Sequence, residues 1–163
     1  MTSIETVGAI AIRVLKLIIN IIAIVLYRTG NHGGFLGVGG TWNLNEEKTA
    51  DVEIIASGVF VGYLIYTAVS LLSLLFGTRD NKVYFTDAIM GLIGILMWLT
   101  VGAAALHYWV GYIDEHKYTA VSSERTVGLA LGALCILNSA LYLIDTVVST
   151  LFVVREKLNG SFS

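Results

Sequence analysis

Proline is absent from the 163 residues, so no helix in this chain is kinked or broken by a pyrrolidine ring. Cysteine occurs once, at Cys135 in an apolar run. With no second thiol there is no intrachain disulfide, and any outward-facing loop must hold its shape without one. Charge is scarce as well. Charged residues make up 13% of the chain, against roughly 25% in a soluble domain. Hydrophobic residues make up 56%, and the mean hydropathy is +0.78; this balance places the chain in a bilayer. The net charge of −2 gives no basic excess for a nucleic acid to bind. Met1 is followed by Thr2 and not by the glycine that N-myristoylation requires. No small-residue cleavage site clearly follows the first apolar run, which is therefore expected to stay as a helix. No serine or cysteine has a histidine placed beside it by sequence. His107, Asp114, Glu115 and His116 fit no zinc-ligand spacing. The chain reads as no enzyme, with no cofactor and no metal.

What is present is four apolar segments, drawn at about 7–27, 54–76, 88–109 and 127–154. Each is long enough for the roughly 20 residues a spanning helix needs. Spanning segments must satisfy their backbone internally, so the expectation is an all-α membrane protein, a single four-transmembrane-helix bundle over 1–163. Four spans put both termini on one side. That side carries Arg13, Lys16, Arg79, Lys82, Arg155 and Lys157, and the other carries Arg28, Lys48, Lys117 and Arg125. The bias makes the termini cytoplasmic and the loops 28–53 and 110–126 extracellular. The connection 77–87 then lies inside. The Asn159-Gly160-Ser161 sequon falls in the cytoplasm and should stay unmodified.

The one long break in the apolar sequence is 33–47. Gly33, Gly34, Gly37, Gly39 and Gly40 are interleaved with Phe35, Leu36, Val38 and Trp42. A loop that only joined two helices would be shorter and more polar. The glycines allow close backbone approach, and Phe35, Leu36, Val38, Gly39, Gly40 and Trp42 are candidates for a partner-contact surface displayed by the membrane scaffold. The plainer alternative is an ordered loop packed on its own helices.

Two glycine pairs, Gly58-x-x-x-Gly62 in the second segment and Gly128-x-x-x-Gly132 in the fourth, each lie on one helix face and let another backbone come close. They serve packing within the bundle or, on a sharper reading, lateral contact between copies in a homo-oligomer. Asp145 is the one carboxylate well inside the drawn spans, where a charge is costly and usually paired. Arg13, Lys16 and Asn20 share one face of the first segment, at spacing i, i+3, i+7, and Asn138 stands seven residues before Asp145. Lys16 and Asp145 both lie about 13 Å from the inner ends of their segments. Counted from the outer ends, Arg13 matches Asp145 better. The expectation is an intramembrane ion pair that fixes helix order; a proton or ion pathway would require more such groups.

The runs Lys16-Leu17-Ile18-Ile19-Asn20, Leu26-Tyr27-Arg28-Thr29-Gly30 and Phe35-Leu36-Gly37-Val38-Gly39-Gly40-Thr41-Trp42-Asn43-Leu44-Asn45-Glu46-Glu47-Lys48 resemble the Snakeskin family. So do Val61-Gly62-Tyr63-Leu64-Ile65-Tyr66, Ala105-Leu106-His107-Tyr108-Trp109 and Leu141-Tyr142-Leu143-Ile144-Asp145-Thr146-Val147. The resemblance covers essentially the whole chain, and the glycine-rich loop is its most specific part. It implies a small four-span protein of insect smooth septate junctions, with a structural role in the paracellular barrier of gut and renal tubule epithelium. It also implies partners in Mesh, a single-span junction protein, and in a junctional tetraspanin, besides membrane lipids. It brings no catalytic residues. The general shape is similar to that of claudins too, but the claudin cysteine pair is missing, so neither their outer sheet nor their pore-lining charges carry over. Two other functions compete: an ion channel or transport subunit, suggested by Asp145 and a negative outer face, and a lipid- or vesicle-organising tetraspan protein.

Overall fold

The computed structural model describes residues 4–29, 50–76, 81–115 and 122–160. They form four α-helices: α1 Ile4–Thr29, α2 Ala50–Phe76, α3 Asn81–Glu115 and α4 Ser122–Gly160. Among the described residues there is no strand. Every helix contains a stretch long and apolar enough to cross a membrane: Val7–Tyr27, Ile54–Phe76, Phe85–His107 and Arg125–Leu151. The glycine-rich loop 33–47, with Phe35, Leu36, Val38, Gly39, Gly40 and Trp42, lies outside the described residues.

α3 begins seven residues before the drawn segment, so Asp87 is helical and buried and not part of a connection. A segment drawn from the first charge-free residue stops short of Asp87, although the apolar span itself begins at Phe85. A helix continues as long as its polar residues find partners, and Asp87 has them.

The buried residues of each helix follow a spacing of alternating threes and fours. In α1 they include Ala9, Arg13, Lys16, Asn20, Ala23 and Tyr27; in α2, Ala56, Phe60, Tyr63, Thr67 and Ser70. In α3 the same spacing runs through Asp87, Gly91, Gly94, Trp98, Val101 and Ala105, with Trp109 buried four residues further on. In α4 it holds for Leu131, Cys135, Asn138, Tyr142, Asp145 and Ser149. A repeat close to 3.5 keeps one seam per helix facing the axis of a left-handed bundle. The outward faces carry Ile18, Ile21, Val25, Ile65, Val69, Leu96 and Leu137, all exposed to the hydrocarbon.

α1 packs on α2 and α4, and α3 packs extensively on α4 and less on α2. α1 and α3 are therefore diagonal. Lipid is as apolar as leucine, so close van der Waals packing and not solvent exclusion holds such helices together. Between α3 and α4 that closeness comes from glycine. A Cβ at Gly102 would stand 3.1 Å from the Gly132 carbonyl oxygen and 3.0 Å from the Cys135 Cβ, and one at Gly94 would stand 2.9 Å from the rings of Tyr142 and Tyr63.

Candidate functional site

Polarity is graded along the bundle axis. Toward the non-terminal end, rings fill the core: Tyr27 and Phe60 lie 5.1 Å apart, Phe60 and Trp98 5.4 Å, and Tyr63 and Tyr142 5.2 Å, in tilted or edge-on contact. Such pairs add about 0.5–1.5 kcal/mol each beyond their burial.

The next layer is made of amides and hydroxyls. Asn138 Nδ2 donates to Asn20 Oδ1 at 2.6 Å, and Asn20 Nδ2 donates to the Tyr63 carbonyl at 3.2 Å and to Thr67 Oγ1 at 3.3 Å. Thr67 Oγ1 and the Tyr142 hydroxyl are 2.6 Å apart. Asn20 thus ties α1 to both α2 and α4, and both Asn20 and Asn138 are fully buried.

Toward the termini the core is ionic. Lys16 Nζ donates to Asp145 Oδ2 and lies 4.0 Å from the centre of the Tyr142 ring. Arg13 Nη2 donates to Asp87 Oδ2 at 2.7 Å, Nη1 donates to the Ser70 carbonyl at 3.0 Å, and Nε sits 3.8 Å from Asp145 Oδ1. Asp87 Oδ1 also accepts from Tyr66 at 2.8 Å and from Ser70 Oγ at 3.1 Å. The four charges belong to α1, α3 and α4, and α2 supplies neutral donors and a carbonyl. Arg13 reaches across the diagonal to α3. A lone charge in hydrocarbon is costly; two cations against two carboxylates bring the cluster to net zero.

The structure therefore brings Arg13, Lys16, Asn20 and Asp145 into one network. Asp87 is the member the sequence did not offer, because the span was drawn from the residue after it. Its signal was its register, four and seven residues before Gly91 and Gly94 on the buried face of α3.

The two glycine pairs part company. Gly128 and Gly132 face α3: a Cβ at Gly128 would collide with the Trp109 ring, and one at Gly132 would come within 2.8 Å of Leu106. Gly58 and Gly62 touch no other helix among the described residues and look into an open groove between α2 and α3. A Cβ at either meets nothing within 4 Å, and both line an apolar groove with Ile55, Val59, Met90 and Met97.

Two curated proteins are similar along nearly their whole length. Protein snakeskin of Bombyx mori is 53% identical over 156 residues, covering 96% of this chain and 99% of the relative. Protein snakeskin of Drosophila melanogaster is 56% identical over 149 residues, covering 91% and 92%. No family model and no solved structure matches.

Proposed function

The chain belongs to the snakeskin family, and we propose that it is a structural component of smooth septate junctions, needed for junction assembly and for the paracellular barrier of an epithelium. The observation that carries this reading is the charge balance of the core. Arg13, Lys16, Asp87 and Asp145 hold one another. An arrangement of that kind suits a scaffold whose helices keep fixed places, and it takes from the transport reading the isolated carboxylate that suggested it. In this reading the chain sits in the plasma membrane at the apicolateral junction, with both termini cytoplasmic and the loops 28–53 and 110–126 outside. Phe35, Leu36, Val38 and Trp42 form the contact surface for another junction protein, a single-span protein or a tetraspanin. The open groove at Gly58 and Gly62 is a second surface, for lateral contact within the membrane.

The test is depletion of the chain from gut epithelium. Loss of ordered septa in electron micrographs and leakage of a tracer dye are expected. Intact septa with full dye exclusion would overturn the reading, and ion conductance by the purified chain in liposomes would point to a transport subunit instead.

A further inference from the structure

Asp87 and Asp145 are not served alike by their surroundings. Asp87 has both oxygens paired within the protein: Oδ2 accepts from Arg13, and Oδ1 accepts from Tyr66 and Ser70. Asp145 Oδ2 accepts from Lys16, but Asp145 Oδ1 is buried and makes no hydrogen bond among the described residues. Arg13 Nε is buried in the same condition. These two atoms, one an acceptor and the other a donor, stand 3.8 Å apart.

That separation is too long for a hydrogen bond, and both ends of it are tied. The guanidinium is a rigid plane, so its three nitrogens move together. Nη2 is held by Asp87 at 2.7 Å and Nη1 by the Ser70 carbonyl at 3.0 Å. Bringing Nε the ~0.9 Å nearer that a direct bond requires would draw both away from their partners. Asp145 in turn is held through its other oxygen by Lys16. A charged group buried with an unpaired atom is costly, and a polar pair held just beyond hydrogen-bond range is where a bridging water fits.

A buried water also needs room and a set of polar partners. The pairs Lys16–Asp145 and Asn20–Asn138 show that α1 and α4 run antiparallel. Ala9 is four residues before Arg13 and Ser149 four after Asp145, so the two share the next level toward the termini. Both are buried. A methyl group opposite a hydroxymethyl group leaves space that larger side chains would take up. The Ser149 hydroxyl is a third polar group, one helical turn or ~6 Å along α4 from Asp145.

We infer that the core binds one water molecule between Arg13 and Asp145. It accepts from Arg13 Nε–H, donates one proton to Asp145 Oδ1 and donates the other to Ser149 Oγ. The water does for Asp145 what Tyr66 and Ser70 do for Asp87. Being neutral, it leaves the four charges balanced. It also extends the hold of Arg13 from α2 and α3 to α4, so that one side chain of α1 is tied to all three other helices.

The test is solid-state NMR on the full chain in phosphatidylcholine bilayers, with isotope-labelled arginine and magnetisation started on water protons. The Arg13 resonance is the one lost in Arg13→Lys. Its Nε–H should receive magnetisation from water despite its burial. Ser149→Val and, from the opposite seam, Ala9→Val each fill the space and should abolish that transfer in a chain that still melts cooperatively; where one variant fails to fold, the other serves. No transfer to Arg13 Nε–H in the wild-type chain would overturn the site, because Nε then bonds Asp145 directly. Transfer that survives filling of the space would overturn it too, because water then reaches Arg13 from elsewhere.

Discussion

At Lys16 and Asp145 the cost of a charge in hydrocarbon falls on whichever partner outlasts the other. Asp145→Leu leaves Lys16 buried with, among the described residues, no carboxylate nearby except Asp87, which Arg13 already occupies at 2.7 Å. Breaking such a pair costs about 3–5 kcal/mol, whereas replacing both charges by well-packed apolar groups is often neutral. Asp145→Leu should therefore lower the melting temperature in detergent sharply and block delivery to the junction, and Lys16→Met combined with Asp145→Leu should recover most of both. A double variant as unstable as the single one, or an Asp145→Asn chain that melts and localises as wild type, would show that the ion pair is not what matters there. Arg13 makes a different demand. Its planar fork serves Ser70 on α2 and Asp87 on α3 with separate nitrogens, which one lysine ammonium cannot do. Arg13→Lys keeps the charge and should still cost about 1.5–3 kcal/mol, the worth of a hydrogen bond to a charged group, read as a lower melting temperature. The polar face of α1 was legible in the sequence because charges in an apolar run have few places to go. Which cation meets Asp145 was not legible. It depends on how far α4 extends past its apolar run, and on Asp87, which claims Arg13 from just outside the segment drawn at 88–109.

The helices separate two uses of glycine that their sequence patterns do not. Gly128-x-x-x-Gly132 and Gly58-x-x-x-Gly62 look alike, yet one pair meets α3 and the other meets open groove. Spacing along a single helix says that a face is smooth, and only the neighbouring helix says what the smooth face is for. The glycines of α3 were missed for the same reason. Gly91, Gly94 and Gly102 are three and eight residues apart and form no i, i+4 pair, but each is pressed against α4. Substitutions should sort accordingly. At Gly102 a Cβ would stand 3.1 Å from a backbone oxygen of α4, and backbone cannot step aside as a side chain tip can. Gly102→Val should push α3 from α4 and cost about 1–3 kcal/mol, the usual range for overpacking. Gly58→Leu should leave stability within about 0.5 kcal/mol, as for other substitutions that meet no neighbour. Its effect should instead fall on lateral assembly, seen as a smaller complex when the protein is purified in mild detergent. An unchanged complex in Gly58→Leu would mean that the groove is covered by lipid alone.

For the molecule as a whole, the question is how a bundle with an inward-turned polar core and a hydrocarbon-coated exterior could recognise another protein. Its faces within the membrane offer little specificity, since the exposed side chains there are largely aliphatic. Specific recognition then falls to the parts outside the membrane, and the longest of these is the 28–53 segment, with Phe35, Leu36, Val38 and Trp42 among the five glycines of 33–47. Buried aromatic anchors dominate protein interfaces, and the loss of one often costs 2 kcal/mol or more, about thirtyfold in affinity. Glycines beside such an anchor let a partner backbone approach where a larger side chain would stop it. Trp42→Ala and, separately, Gly39→Val should thus leave the four helices folded, with melting temperature and surface delivery as in the wild type. Both variants should fail to concentrate at the junction and should spread along the lateral membrane, with a leakier barrier to tracer dye. Trp42 packed on its own helices would give another pattern, a lowered melting temperature in Trp42→Ala alone. Because the two outcomes differ in which measurement moves, melting and junctional retention are to be measured on the same variants. Retention and barrier tightness unchanged in both would remove the loop from the contact surface and leave the Gly58–Gly62 groove as the place where this bundle meets its partner.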